Sequence, residues 1–117
     1  MKIKAKDLRI GNWLRYSDNK KLKPELRGTD FQVIADDILA IEEGHTVVEL
    51  IKPIPLTEEW LTTLGFKRFG KDTFYLGSVK IHHRKRGFVI AKRYTDLIYV
   101  HQLQNLYYAL TNKELEI

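Results

Sequence analysis

The chain of 117 residues contains no cysteine. That absence removes disulfide staples, a thiolate nucleophile and every cysteine-based zinc site at once. Histidine is scarce, with four residues, and no two of them stand in a His-x-His or His-x3-His spacing. His82 and His83 are neighbours on a predicted strand, where side chains point to opposite faces and cannot share a metal ion. No cofactor and no metal is therefore expected. No apolar run approaches the ~18 residues that span a bilayer, and MKIKAKDLRIG carries lysines without an apolar segment behind them. The expectation is a soluble, cytoplasmic protein with no membrane partner. No internal repeat or low-complexity tract is visible either. The acidic pairs Asp36-Asp37, Glu42-Glu43 and Glu58-Glu59 are neighbours only in sequence, and no nucleophile with a base at hand can be read. Nothing specifies an active site, so binding without turnover is the expectation, with an enzyme as the open alternative.

Charge of both signs is plentiful and segregated. Residues 1–27 hold nine basic and three acidic groups, residues 28–65 one and eight, residues 66–93 nine and one, and residues 94–117 one and three. The balance along the chain is thus +6, −7, +8 and −2, a pattern more informative than the net +5. Two uses are open to the basic block at 66–93. It packs against the acidic block and is neutralised internally, or it faces a phosphate-bearing partner.

The element reading starts from punctuation. LRIGNWLRY (8–16) alternates apolar and polar residues around Gly11-Asn12 and predicts a half-buried strand with a turn or bulge at the glycine. The polar stretch 17–30 predicts a mobile loop. FQVIA (31–35), ILAI (38–41) and TVVELI (46–51) are short β-branched runs at the spacing of a small curled sheet, with one helical turn at 36–43 as an alternative. In KPIPLTEEWLTTLGF (52–66), Pro53 and Pro55 hold the chain extended and Thr57 is a good N-cap. Glu58 and Glu59 favour a helix start, Leu56 and Leu61 can form a hydrophobic staple, and Gly65 supplies the stop. From 66 to 93, turns at Gly70-Lys71-Asp72, Gly77-Ser78 and Lys85-Arg86-Gly87 join four short runs into an antiparallel meander. The fold class is α+β. An SH3-like β-rich N-terminal half (1–52) is expected to pack on a C-terminal half (53–117) of a short helix, a four-stranded meander and a C-terminal helix, together one folding unit.

The C-terminal helix is marked by an absence of its own. YVHQLQNLYYALTN (99–112) holds no Asp, Glu, Lys or Arg in a chain that is 30% charged. At helical spacing Tyr99, Leu103, Leu106 and Leu110 share the expected core face, flanked by Val100 and Tyr107. His101, Gln104, Asn105 and Tyr108 share the opposite one, and Asn112 is the expected C-terminal stop. Uncharged hydrogen-bonding side chains suit a covered face, provided each finds a partner in the protein or in a ligand.

The most prominent chemical feature is KIHHRKRGFVIAKRY (80–94). Lys80, His82 and Arg84 share one strand face, Lys85 and Arg86 lie at the turn, and Lys92 and Arg93 return on the partner strand. Phe74, Tyr75, Phe88 and Tyr94 are interleaved. Arginine forks grip phosphate oxygens and aromatic rings stack on bases, although a charged hairpin also serves as an edge defended against aggregation. GFKRFGKD (65–72) mimics the start of a phosphate-binding P-loop but has Asp72 where that loop needs Ser or Thr, and it precedes a hairpin instead of a helix. It is rejected.

The segments LRIGNWLRY, PIPLTEEWLTTLGF and YVHQLQNLYYALTNKELEI, in that order, resemble a family of small uncharacterised proteins from phages, prophages and genomes of anaerobic gut bacteria. The resemblance covers both ends and the middle and transfers no functional residue. It implies a phage or mobile-element accessory factor. Joined to the residue reading, the leading expectation is non-enzymatic binding of a small anionic ligand, a nucleotide, with sequestration of a host-defence nucleotide signal as the role. Lys80, Arg84, Arg86 and Lys92 would hold phosphate and Tyr94 or Tyr108 would stack. His101, Gln104 and Asn105 would read polar edges. The alternatives are a nucleic-acid-binding factor and an inhibitor that docks on a host or phage protein. A homo-oligomer paired through edge strands is also open.

Overall fold

A computed structural model describes residues 3–44, 49–85, 87–90 and 96–116. The protein is α+β, with three α-helices and two antiparallel sheets, and the chain divides into two compact units, Met1–Ile54 and Pro55–Ile117.

In the first unit a 3-10 turn at Ala5–Asp7 leads into strand β1 (Trp13–Tyr16), which is central in a three-stranded sheet between β2 (Asp30–Gln32) and β3 (Ile51–Pro53). The turn expected at Gly11 is present. Gly11 has φ +94° and its N–H donates to Val33 O, while Asn12 is buried and its Oδ1 accepts the Arg9 N–H at 2.6 Å. A backbone this tightly turned leaves donors facing inward, and a buried amide oxygen satisfies one where water cannot reach. Arg15 lies opposite Asp30 in the sheet and its guanidinium donates to both carboxylate oxygens, at 2.6 and 3.3 Å.

One expectation for this unit needs correction. ILAI forms part of helix α1 (Ala35–Glu42) and not a strand. The Asp37 carboxylate accepts the Ile34 N–H at 2.9 Å at its start, and only Ile41 of its eight residues is buried. A side chain that closes the first turn and a single inward stripe favour a helix where β-branched composition alone favours a strand. The stretch 17–30 is the expected loop up to Asp30, which opens β2, and Arg27 donates within it to the carbonyls of Asn19, Leu22 and Lys20. Of TVVELI, residues 46–48 and the preceding His45 lie outside the described residues.

The second unit opens with helix α2 (Glu58–Thr63), capped by Thr57, whose hydroxyl accepts the Trp60 N–H at 3.2 Å. Leu56 and Leu61 are both buried, and Gly65 ends the helix at φ +99°. Five strands follow in sequential antiparallel order: β4 (Lys67–Phe69), β5 (Thr73–Leu76), β6 (Val79–Arg84), β7 (Gly87–Ile90) and β8 (Asp96–Leu97). The sheet thus has one strand more than the four expected. Helix α3 (Val100–Thr111) closes the unit; Gln102 Oε1 accepts the N–H groups of Ile98 and Tyr99, and Asn112 takes the left-handed conformation at φ +59°.

The buried stripe of α3 is Val100, His101, Leu103, Gln104 and Tyr107: Leu103 and the expected flanks Val100 and Tyr107 are inside, but the stripe is shifted toward His101 and Gln104, with Leu106 half-buried and Leu110 41% exposed. Tyr107 meets Phe66 edge-on at 6.2 Å. Polar side chains with internal partners can be buried as deeply as leucine, and hydropathy alone then selects the wrong centre for the stripe.

Candidate functional site

Alternation along the strands gives the five-stranded sheet two different faces. Phe74, Ile81, Ile90, Phe88 and Leu97 are buried on one. The other is read from the register. Phe69 lies opposite Thr73, Thr73 opposite His82, and His82 opposite Val89, while Lys67 lies opposite Tyr75 and Tyr75 opposite Lys80. Directly paired residues share a face, so Lys67, Phe69, Thr73, Tyr75, Lys80, His82 and Arg84 all belong to this outer face. Phe69, Thr73, Tyr75, Lys80 and His82 line an open depression of about 410 Å³.

The components of this face are specific. Phe69 is 72% exposed, the most exposed large hydrophobic side chain among the described residues, and its ring meets Tyr75 edge-on at 6.5 Å. Lys67, Lys80 and Arg84 are exposed around the rings. The Thr73 hydroxyl lies 3.1 Å from His82 Nδ1. That contact fixes the orientation of the imidazole and leaves its other nitrogen and its ring face for the depression. Asp96, opposite Val89, places an acidic group at the β8 end of the row. Among the described residues, the positive and aromatic part of the face therefore lies on β4, β5 and β6.

The opposite side of the sheet holds a cluster that serves the fold. Glu58, in the first turn of α2, forms ion pairs with Arg68 of β4 and with Nδ1 of His83 of β6, the latter at 2.6 Å. The hydrogen bond from His83 and then the charge of Arg68 hold the Glu58 carboxyl below its ordinary range. His83 also stacks on Phe88 at 4.2 Å, and Arg68 lies over the Phe74 ring at 5.0 Å. Glu58 thereby fastens α2 to two strands that are not neighbours in the sheet.

The residues nominated from the sequence thus fall in different places. Lys80 and Arg84 stand on the outer sheet face. Arg86, Lys92 and Tyr94 lie outside the described residues. His101 and Gln104 are buried, at 5% and 1% exposure; Asn105 is half-buried, Tyr108 is 38% exposed, and all four engage partners within the chain. None of the residues lining the depression comes from α3. Phe74 and Phe88, which the sequence interleaves with the basic groups, are core residues unavailable for stacking. Sequence reasoning missed Phe69, Thr73 and Lys67 as site residues. The signal for them was the three-residue turn Gly70-Lys71-Asp72, which fixes Phe69 opposite Thr73 and so gives the face of every residue in FKRF and TFYL.

No family model, no curated protein and no solved structure matches this chain. Among the described residues no group of three or more His, Cys, Asp or Glu side chains could hold a metal ion, and no helix is long and apolar enough to cross a membrane. A second depression, of about 460 Å³ in the first unit, is lined by Ala5, Lys6, Ile10, Ala35, Ile38, Leu39 and Glu42. It is mostly apolar and offers Lys6 alone to an anion.

Proposed function

We propose that the protein binds a nucleotide, without turning it over, on the outer face of the five-stranded sheet. The observation that carries this reading is Phe69, 72% exposed on a face shared with Lys67, Lys80 and Arg84. An aromatic ring left in water adds little to stability. A base laid on it is worth about 1–3 kcal/mol, and lysine or arginine beside it supplies charge-assisted hydrogen bonds to phosphate. Rings and cations belong together for a ligand that has both a flat apolar part and an anionic part. Arg86, Lys92 and Tyr94 are sequence-based members of the same set. The stripe of His101, Gln104, Asn105 and Tyr108 is assigned to the fold, because its two most central members are buried. Binding without turnover amounts to sequestration, the accessory role that the resemblance to phage and prophage proteins implies.

The test is the melting temperature against a panel of mono-, di- and cyclic nucleotides, measured on the wild type and on Phe69→Ala and Lys80→Ala. A ligand at 100 times its Kd adds about 2.7 kcal/mol, which for a chain of this size is a rise on the order of 10 °C. The expected result is a rise with at least one nucleotide that shrinks in both variants. A rise that survives both substitutions moves the site off this face, and the absence of any rise with nucleotides or oligonucleotides removes the reading.

A further inference from the structure

We infer that the outer sheet face takes a single-stranded oligonucleotide, at least two nucleotides long, in preference to a free mononucleotide. The inference rests on the reading above and goes further by naming the ligand class. Phe69 and His82 stand in one cross-strand row with Thr73 between them. Neighbouring strands are about 4.8 Å apart, so the backbones that carry the two rings are separated by about 10 Å. One base covers one ring. Successive residues of a stacked strand are about 3.4 Å apart, so occupying both rings requires a strand whose bases are splayed, as in single-stranded recognition on open sheets.

Two of the three cations follow the same direction. Lys67 and Lys80 lie on either side of Tyr75 in the adjacent row, and Arg84 continues the face of β6 two residues beyond His82. Alternate residues of a strand are about 7 Å apart. Lys67 and Lys80 therefore run parallel to the ring row on one side, and Arg84 stands on its other side, too widely spread to cage one phosphate. The depression is open and is built from three strands alone. Asp96 closes the face on the β8 side, where a phosphate would be repelled. A small ligand gains most in an enclosed pocket that covers most of its surface, whereas an extended strand fits an open face.

Anisotropy of a fluorescein-labelled mixed-sequence 8-mer, in DNA and RNA forms, gives the direct measurement, with unlabelled thymidine monophosphate, the dinucleotide and the tetranucleotide as competitors. The expected order is a tetranucleotide at least 30-fold tighter than the monophosphate, well beyond the fourfold that counting its units supplies. Phe69→Ala and His82→Ala should each weaken the 8-mer about five- to hundred-fold, while only one of them weakens the monophosphate. Three cations on the face give a slope of log affinity against log salt near −2 at ~0.7 per contact. Affinity should then fall about 15-fold from 50 to 200 mM salt. A monophosphate that competes as well as the tetranucleotide overturns this inference and leaves nucleotide binding standing. An 8-mer that does not bind overturns this inference alone, and nucleotide binding then stands or falls on the melting-temperature panel. A His82→Ala protein that holds the 8-mer like the wild type also overturns it. Phe69→Tyr serves as the control, since it keeps a ring and should retain the wild-type affinity within about threefold.

Discussion

Phe69 and Phe74 are five residues apart in one hairpin, and replacing each by alanine should separate binding from folding. Phe74 is 1% exposed and carries the Arg68 guanidinium over its ring at 5.0 Å. Truncating a fully buried phenylalanine costs about 3–5 kcal/mol from lost transfer energy and the cavity left behind. Phe69 keeps 72% of its surface in water. Little more than a quarter of the roughly 3 kcal/mol that full burial of such a side chain gives is then at stake. Its edge-on contact with Tyr75 adds about 0.5 kcal/mol, for a total near 1 kcal/mol. Urea unfolding followed by circular dichroism should place Phe69→Ala within about 1 kcal/mol of the wild type and Phe74→Ala at least about 2 kcal/mol further down. The oligonucleotide assay should reverse the order for the folded proteins, with Phe69→Ala the weaker binder. A loss above about 2 kcal/mol for Phe69→Ala would show its ring to be part of the packing. That result would refute the argument that exposure on this face is available for a ligand.

Three further outcomes follow from the packing. Glu58→Gln should flatten the acid side of the stability profile. Because the folded carboxyl titrates below its ordinary value of 4.5, its contribution is present above that value and is lost as pH falls through the lower folded one. Melting temperature against pH should show wild type and variant converging as pH falls below 4.5, and parallel curves would refute the link. Asn12→Ala removes the acceptor of the Arg9 N–H inside the first unit and should cost about 1–3 kcal/mol in urea; a neutral result would mean that water satisfies that donor. Gln104→Glu, nearly isosteric at a site 1% exposed, should destabilise by several kcal/mol at pH 7 and by less at pH 4, where the carboxyl is neutral. Equal stability at both values would show that the side chain reaches solvent.

Local signals were legible where one residue type has one physical use. Thr57 caps α2, Gly65 ends it, Asn112 ends α3 in the left-handed conformation, and Gly11 turns ahead of β1. Each follows from a side-chain oxygen near orphan N–H groups or from a backbone angle that few residues tolerate, and neither needs a distant partner. ILAI was not legible in that sense, since a short apolar run satisfies helix and strand equally until an end is tied, here by the Asp37 carboxylate. Nor was the shift of the α3 stripe, because hydropathy ranks leucine above glutamine while burial depends on whether the amide finds partners.

By itself the sequence determined the α+β class, the segregation of charge and the basic, aromatic character of residues 66–93, because composition and period-two alternation act within a few residues. Only the tertiary structure decided which groups meet. Register placed Phe69, Thr73 and His82 in one row and sent Phe74 and Phe88 inward, since a shift of one residue in a strand moves every side chain to the other face. Helix packing did the same for His101 and Gln104, taking these two members of the charge-free stripe into the interior. Facing is a property of neighbours brought together from distant parts of the chain, and for that reason the shared face of these residues could be read only from the fold.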